Sequence, residues 1–217
     1  MNKKFQYFIK RIFDIFFSML MLICSSPFVL IAVMMIKFSS PKDKVLFKQV
    51  RSGYKTKPFV IYKLRTMTNE RDENGKLLPD ERRLKIWGKI IRKTNLDEIP
   101  QVLNVFKGDM SLIGPRPFLP TDVARFDEKQ LHRADILPGI TGLEAINEHK
   151  VRNWDEKIGY DIFYVDNFSL WLDIKIFFRT IFVIFFARRP EHRFEGHFEP
   201  QYETQTEVPA TVGSNGP

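Results

Sequence analysis

The chain has 217 residues, of which 44% are hydrophobic and 28% are charged. This composition supplies enough apolar material for one packed domain of ordinary size and excludes a mainly disordered chain. A mean hydropathy of −0.22 argues against a protein with many membrane spans. The one cysteine, Cys24, excludes an intrachain disulfide.

Charge is distributed unevenly along the chain. The formal net charge is +8, but residues 190–217 hold five glutamates and one arginine, which leaves +12 on residues 1–189. The tail is rich in Pro, Gly, Thr and Glu without apolar periodicity, so we predict that it is disordered. The basic body favours an anionic partner, which could be nucleic acid, anionic lipid or a phosphorylated substrate.

An uncharged apolar segment runs from Ile15 to Ile36. At about 1.5 Å per residue it is long enough to cross a ~30 Å hydrocarbon core, but Ser26-Pro27 predicts a kink or break near its middle. Basic residues flank both ends: Lys3, Lys4, Lys10 and Arg11 precede it, and Lys37, Lys42, Lys44, Lys48 and Arg51 follow it.

Both basic clusters satisfy the positive-inside rule only if the segment enters and leaves the membrane by one face. We therefore predict a re-entrant helical hairpin over residues 1–40, with the body, residues 41–189, in the cytoplasm. A single span with a proline kink is the alternative. A cleavable signal peptide is disfavoured, because the apolar run is too long and no Ala-x-Ala site follows it.

The body predicts a small sheet and amphipathic helices. Val45–Gln49 and Phe59–Leu64 have the pattern of two strands, and Asp72–Asp80 that of a polar loop. Glu81–Lys93 and Leu170–Arg189 combine helical apolar spacing with basic residues. We expect both helices to lie at the membrane interface, although a core helix with a solvated face is the alternative for the first. The fold class predicted is α-rich α+β, in a monotopic membrane protein.

Two acidic residues, Asp97 and Glu98, follow Thr94 and Asn95 and precede apolar residues at helical spacing. This pattern predicts a capped helix start with both carboxylates in its first turn. The helix end would hold them ionised and attract phosphate, and adjacent side chains diverge enough to take different roles. The alternative is that both residues only cap the helix.

Arg116 lies between two prolines in Gly114-Pro115-Arg116-Pro117. A rigidly presented guanidinium suits bidentate phosphate recognition. An ordinary turn with a surface arginine is the alternative.

The order of seven motifs resembles the bacterial sugar transferase family, the small monotopic polyprenyl-phosphate phosphoglycosyl transferases. The resemblance covers about residues 10–180, and it implies a re-entrant membrane helix broken at a Ser-Pro that matches Ser26-Pro27. The matching stretches are Lys63–Met67, Leu96–Gln101, Asn104-Val105, Lys107–Ser111, Gly114–Pro117, Pro138–Leu143 and Leu172–Lys175.

The resemblance implies transfer of a sugar-1-phosphate from a nucleotide diphosphate sugar, usually a UDP-sugar, to polyprenyl phosphate. Asp97 would attack the sugar-bearing phosphate to give a phosphosugar-aspartyl intermediate, with Glu98 assisting. Mg²⁺ would be the cofactor and Asp97 its protein ligand. Arg92 and Arg116 match arginines that hold phosphate. Three further residues match motif positions of open role and are counted with the substrate-binding residues: Lys63, Arg65 and Asp173.

The resemblance also implies a place in the cell. The enzyme would lie on the cytoplasmic face of the bacterial inner membrane and initiate glycoconjugate assembly. Its product would pass to downstream glycosyltransferases, and no nucleic acid would take part.

One stretch departs from the family pattern. Many relatives have a Gln-Val-Asn-Gly-Arg-like run where this chain has Glu144–Lys150. If that loop selects the sugar or nucleotide, the donor is unusual.

Two other functions stay open. In a nucleotide-sugar pyrophosphatase, water would attack the Asp97 intermediate, but a water-soluble acceptor needs no membrane hairpin. In a non-catalytic basic protein that binds membrane or nucleic acid, the acidic pair Asp97-Glu98 would weaken binding.

Overall fold

The computed structural model describes residues 2–186, so the acidic tail at 190–217 lies outside the described residues. In that part of the chain the α-helices are α1 (Lys3–Ser39), α2 (Asp80–Arg83), α3 (Ile86–Lys93), α4 (Val102–Lys107), α5 (Pro120–Val123), α6 (Glu128–Leu131), α7 (Leu143–Ile146), α8 (Trp154–Asp166) and α9 (Leu170–Phe186). The strands are β1 (Leu46–Ser52), β2 (Pro58–Leu64), β3 (Ser111–Ile113) and β4 (Gly139–Thr141). Short 3-10 helices cover Tyr54–Thr56, Leu96–Gln101, His132–Asp135 and Glu148–Lys150. The fold is helix-rich, as predicted, and has two small sheets where one was predicted.

Helix α1 runs without interruption through Pro27, so the chain is not divided into two helices at Ser26-Pro27. Pro27 has no N–H to donate to the preceding turn, and Ser26 Oγ donates to the Ile23 carbonyl at 2.8 Å. Both features favour a bend at this turn. Among the described residues, α1 is the one helix long and apolar enough to cross a membrane by length and composition.

The amino-terminal part of α1 packs on the body through polar contacts. Lys10, Asp14 and Ser18 are buried there. Asp14 Oδ1 accepts hydrogen bonds from Ser111 Oγ at 2.9 Å and from the Leu112 N–H at 3.1 Å. These bonds connect α1 to strand β3.

The carboxyl-terminal part of α1 packs on the body through apolar contacts. Ala32 and Ile36 are buried in a cluster with Leu64, Trp87 and Ile91. Between Ser18 and Ala32 the helix has no fully buried residue. Met21, Ser25 and Val29 are half-buried there, and the other side chains of this apolar centre are exposed.

The two predicted strands are confirmed as the antiparallel hairpin β1–β2, in which Leu46 pairs with Leu64. The side chain of Asn104 covers the free edge of β2. Its Oδ1 accepts from the Tyr62 N–H at 3.3 Å, and its Nδ2 donates to the Val60 carbonyl at 2.6 Å. Asn104 thereby connects α4 to the strand that carries Lys63.

Strands β3 and β4 form a parallel pair, in which Ser111 is opposite Gly139. Glycine is required at the end of this pair because the backbones approach closely. A Cβ on Gly139 would lie 2.1 Å from Gly114 N, and a Cβ on Gly142 would lie 2.3 Å from Gly114 O. The turn that carries Arg116 therefore starts from a tightly packed base.

The prediction of one helix over Glu81–Lys93 is wrong, because the chain forms two helices, α2 and α3. Lys85, between them, has extended backbone angles (φ −70°, ψ 169°). The break lets the Thr68 N–H bond to the Arg83 carbonyl at 3.1 Å. On α3, Trp87 is buried, whereas Ile86 and Ile90 are 77% and 47% exposed.

The prediction of a capped α-helix after Asn95 is also wrong, because the chain forms a 3-10 helix there. Asp97 and Glu98 do lie in a first turn, but that turn belongs to the 3-10 helix Leu96–Gln101. Neither predicted cap acts through its side chain: Thr94 Oγ1 donates back to the Ile90 carbonyl at 3.0 Å, and Asn95 is left-handed (φ 56°). Pro100 cannot donate the N–H that an α-helix would require there.

Helix α9 is the described part of the predicted helix Leu170–Arg189, whose last three residues lie outside the described residues. Its buried face includes Asp173 and Ile176. Its outer face exposes Trp171, Phe178 and Phe182. Such a face is typical of a helix that contacts lipid.

Candidate active site

The acidic pair lies at the centre of the body. The 3-10 helix that carries it contacts α1, β2, α3 and α4. Lys63 approaches the pair from the end of β2, Arg92 from the end of α3, and Arg116 from the turn after β3. Three of the predicted binding residues therefore lie around the acidic pair.

Glu98 is held by cations. Lys63 Nζ lies 2.9 Å from Glu98 Oε1, and Arg116 Nη2 lies 4.0 Å from the same oxygen. The side chains of Lys63 and Glu98 are 20% and 23% exposed, so this ion pair is partly shielded from water. Shielding strengthens the attraction over that of a surface pair.

Asp97 differs from its neighbour, because it forms no salt bridge within residues 2–186. Burial raises the pKa of its carboxyl group, and the Glu98 carboxylate raises that pKa further. Lys63 and Arg92 act in the opposite direction. The helix end and the nearby cations therefore do not lower the pKa of Asp97 below its ordinary value. Burial dominates, and the nearby cations oppose it.

Arg92 is exposed and oriented by a neighbouring hydroxyl. Its Nε donates to Thr66 Oγ1 at 2.9 Å, and Thr66 is itself buried. The guanidinium is close enough to lower the pKa of Asp97. An oriented, solvent-accessible arginine beside an open carboxylate is suited to bind an incoming phosphate.

Arg116 has several carboxylates around it. Burial alone lowers the pKa of its guanidinium, but Glu98, Glu144, Glu148 and Asp161 together outweigh burial and raise it. The guanidinium is thus a stable cation at the edge of the site.

Two predicted binding residues lie in other contacts. Arg65 Nε donates to the Lys44 carbonyl at 2.7 Å, and its Nη1 donates to Asn69 Oδ1 at 2.8 Å. Asp173 is buried, where it binds Lys10 Nζ and Tyr164 OH, both at 2.7 Å. The structure does not bring either residue into contact with Asp97 or Glu98. Their contacts connect the strand end and α9 to the rest of the body.

The segment that departs from the family pattern folds beside Arg116. It comprises α7 and the 3-10 helix Glu148–Lys150. Glu144 is 4% exposed, and its Oε1 lies 3.6 Å from Lys157 Nζ. The residues that differ from the family pattern therefore alter the charge around Arg116, close to the site.

A metal ion has a partial set of ligands here. No group of three or more His, Cys, Asp or Glu side chains among the described residues could enclose one. Mg²⁺, however, commonly binds one or two carboxylates and completes its shell with water and substrate phosphate oxygens. The carboxylate of Asp97, which forms no salt bridge within residues 2–186, fits that mode of binding.

The sequence did not identify two contacts at this site. Thr66 was part of a matched motif, but nothing in its spacing indicated a bond to Arg92. Arg133 donates to the backbone carbonyl of Arg116 and pairs with Asp161. The partners lie 28 residues apart, and no periodicity connects them.

Residues 5–187 match the family described as bacterial sugar transferase. The uncharacterized sugar transferase EpsL of Bacillus subtilis is 49% identical over 80% of this chain and 85% of its own length. A UDP-N-acetylgalactosamine-undecaprenyl-phosphate N-acetylgalactosaminephosphotransferase of Aeromonas hydrophila is 40% identical, and a UDP-glucose:undecaprenyl-phosphate glucose-1-phosphate transferase of Klebsiella pneumoniae is 36% identical. Each covers 80% of this chain, which spans only 43% and 39% of their respective lengths.

Proposed function

Because this chain belongs to the bacterial sugar transferase family, we propose that it transfers a sugar-1-phosphate from a UDP-sugar to undecaprenyl phosphate or a similar polyprenyl phosphate. The observation that carries the proposal is the half-buried carboxylate of Asp97, which has no salt bridge within the described residues, while Lys63 holds the adjacent Glu98. Relatives named for UDP-sugars and undecaprenyl phosphate support the donor and the acceptor.

The reaction takes place in two displacements at one phosphorus. A carboxylate oxygen of Asp97 attacks the phosphorus that bears the sugar. The bond from that phosphorus to the bridging oxygen breaks, and UMP leaves. An oxygen of the polyprenyl phosphate then attacks the same phosphorus, breaks the acyl phosphate bond and restores the Asp97 carboxylate. Carboxylates are established nucleophiles towards phosphoryl groups.

The surrounding residues have separate roles in this proposal. Arg92 and Arg116 bind the diphosphate, since both guanidinium groups lie near the acidic pair. Glu98, fixed by Lys63, orients the reacting groups or moves a proton as acid and base. Mg²⁺ held by Asp97 and the donor phosphates would offset the negative charge that an anion meets at a diphosphate.

The shape of the membrane segment supports a re-entrant entry from the cytoplasmic face. The centre of α1, residues 19–31, has no fully buried residue and is mostly exposed. At 1.5 Å per residue it extends about 20 Å, which is less than the ~30 Å hydrocarbon core. Both packed ends contact the same body, whereas a span would separate them by the full membrane. The acceptor lipid would then approach from the side that exposes Ile86 and Ile90, on the helix that carries Arg92.

Transfer can be tested directly. Detergent-purified protein is incubated with Mg²⁺, undecaprenyl phosphate and a panel of UDP-sugars, and UMP and lipid-linked product are measured. We expect both products from the wild type, neither from Asp97→Asn, and unchanged rates from the matched control Asp155→Asn, whose carboxylate is exposed. UMP release that does not require lipid would favour the pyrophosphatase. No turnover in any condition would favour the binding protein.

Membrane topology is tested with single cysteines in a Cys24→Ser background. Lys4→Cys and Lys42→Cys place a thiol at each end of the membrane segment. We expect an impermeant maleimide to label both positions in inverted inner-membrane vesicles and neither in intact spheroplasts. Labelling of one position from the outside would establish a single span instead.

A further inference from the structure

A buried ion pair lies behind the turn that carries Arg116. The side chains of Arg133 and Asp161 are 5% and 2% exposed. Asp161 Oδ2 accepts from Arg133 Nη2 at 2.5 Å and from Arg133 Nε at 3.1 Å. Separating the two side chains would leave each with a buried charge that lacks a partner, which is strongly unfavourable. Arg133 and Asp161 therefore hold each other in place.

Arg133 contacts the Arg116 turn on both sides of Pro117. Its Nη2 donates to the backbone carbonyl of Arg116. Its guanidinium carbon lies 4.0 Å from the ring centre of Phe118. One side chain therefore restrains the residues before and after the second proline.

Pro115 and Pro117 have no N–H to donate, so hydrogen bonds that fix this turn must be accepted by its backbone carbonyl groups. The Pro115 carbonyl accepts from the Gly139 N–H at 2.9 Å, and the Phe118 carbonyl accepts from the Ser52 N–H at 2.9 Å. Backbone groups thus fix both ends of the turn. At its centre, the carbonyl of Arg116 is bound by a charged side chain.

We infer that Arg133, oriented by Asp161, is a positioning residue that fixes the backbone of Arg116 and so aims the Arg116 guanidinium at the Glu98 side of the site. The inference rests on the proposed function in one respect, which is that Arg116 binds the donor diphosphate. Arg133 itself touches neither Asp97 nor Glu98 in the described contacts. It acts through the turn.

The geometry requires arginine at this position. A guanidinium presents several N–H groups in a fixed plane, so it binds Asp161 and the Arg116 carbonyl together. A lysine keeps the charge but lacks that fork. Arg133→Lys therefore separates the positioning role from the mere presence of a cation.

The kinetic test uses a double-mutant cycle. We expect Arg133→Lys to lower kcat/KM for the UDP-sugar by about 10- to 100-fold, because a misplacement near 1 Å has an effect of that order. In an Arg116→Ala background the same change should cost less than roughly two-fold, because the residue through which it acts is absent. Equal losses in both backgrounds would overturn the inference. Arg82→Gln, which removes an exposed cation elsewhere, is the control.

A second readout needs no substrate. Hydrogen exchange of the Gly139 and Ser52 amides, which donate to the Pro115 and Phe118 carbonyls at the two ends of the turn, is measured in detergent micelles. We expect Arg133→Lys to accelerate exchange at both amides by at least about ten-fold relative to Arg82→Gln, because the turn loses its central restraint. Phe118→Leu keeps the buried pair but removes the contact of Arg133 with the ring, together with the edge contacts of that ring with Phe126 and Trp154. It should change exchange in the same direction by less, and it replaces Arg133→Lys if that variant does not fold.

The two proposals can fail separately. Unchanged exchange in Arg133→Lys and in Phe118→Leu overturns the positioning role, whether or not the wild type transfers a sugar phosphate. If exchange accelerates but the wild type transfers no sugar phosphate, the proposed function is wrong and the restraint of the turn is upheld.

Discussion

Lys63 Nζ and Glu98 Oε1, 2.9 Å apart, join the end of strand β2 to the 3-10 helix that carries Asp97. The same lysine lowers the pKa of Asp97. One cation therefore serves both members of the acidic pair, although it bonds only to Glu98.

Replacement of Lys63 by glutamine should reduce activity strongly. The change removes a charge-assisted hydrogen bond worth about 1.5–3 kcal/mol, which corresponds to roughly 10- to 100-fold in kcat/KM. Steady-state kinetics with the preferred UDP-sugar measures the loss. Lys57→Gln removes an exposed lysine from the turn of the same hairpin and should leave kcat/KM unchanged. Equal losses in the two variants would contradict a specific role for Lys63.

Thr66 should strengthen binding of the UDP-sugar, because its hydroxyl orients Arg92. Thr66→Val removes the acceptor of the 2.9 Å bond from Arg92 Nε. We expect KM for the UDP-sugar to rise about five-fold, which corresponds to about 1 kcal/mol, with a smaller change in kcat.

Thr68 offers a matched control two residues along the chain. Its Oγ1 is buried and has no hydrogen-bond partner within the described residues. Thr68→Val should therefore leave KM unchanged, and it should leave stability equal or slightly higher. A larger KM effect from Thr68→Val than from Thr66→Val would reject the link to Arg92.

Asp173 is expected to affect stability more than substrate binding. Both of its oxygens are bonded, one to Lys10 Nζ and the other to Tyr164 OH. Breaking a buried ion pair costs about 3–5 kcal/mol. Lys10→Met and Asp173→Asn should therefore lower the thermal midpoint in detergent, while the folded fraction keeps its KM for the UDP-sugar. A raised KM at an unchanged midpoint would instead support the substrate-binding role that the sequence motif predicts.

The buried Asp161 should make stability depend on pH. Burial raises its pKa to about 6, against the opposing effect of Arg133. This value lies above the pKa of about 3.9 in an unfolded chain, so the folded state binds the proton more tightly. The stability gained by protonation is therefore lost as pH rises from about 4 through 6.

Thermal midpoints between pH 4 and 7 measure this effect. The wild type should lose more stability over that range than Asp161→Asn, which has no proton to release at this position. Parallel curves for the two proteins would show that Asp161 does not titrate there.

The sequence predicted those parts of the molecule that depend on local pattern. Alternating side chains between turn residues predicted both strands of the hairpin. The ordered motifs marked Lys63 and Arg116 as candidate binding residues, and both lie beside Glu98 in the structure. The catalytic and binding roles of these residues stay predictions until they are assayed.

The parts that were missed depend on tertiary contacts. The split of Glu81–Lys93 reflects docking of Arg83 on Thr68. The 3-10 helix at Asp97 reflects Pro100 and the left-handed Asn95. In each case the apolar spacing was compatible with an α-helix, and a constraint outside that spacing decided the outcome.

The central claim, a covalent intermediate on Asp97, is tested most directly by mass spectrometry. Purified protein is incubated with Mg²⁺ and its UDP-sugar without polyprenyl phosphate, quenched in acid and measured intact. The account predicts an added mass equal to one sugar phosphate, located on the peptide that contains Asp97, absent from Asp97→Asn and lost when undecaprenyl phosphate is added. Transfer to the lipid by wild-type protein that never carries this adduct, or an adduct that persists in Asp97→Asn, would contradict it.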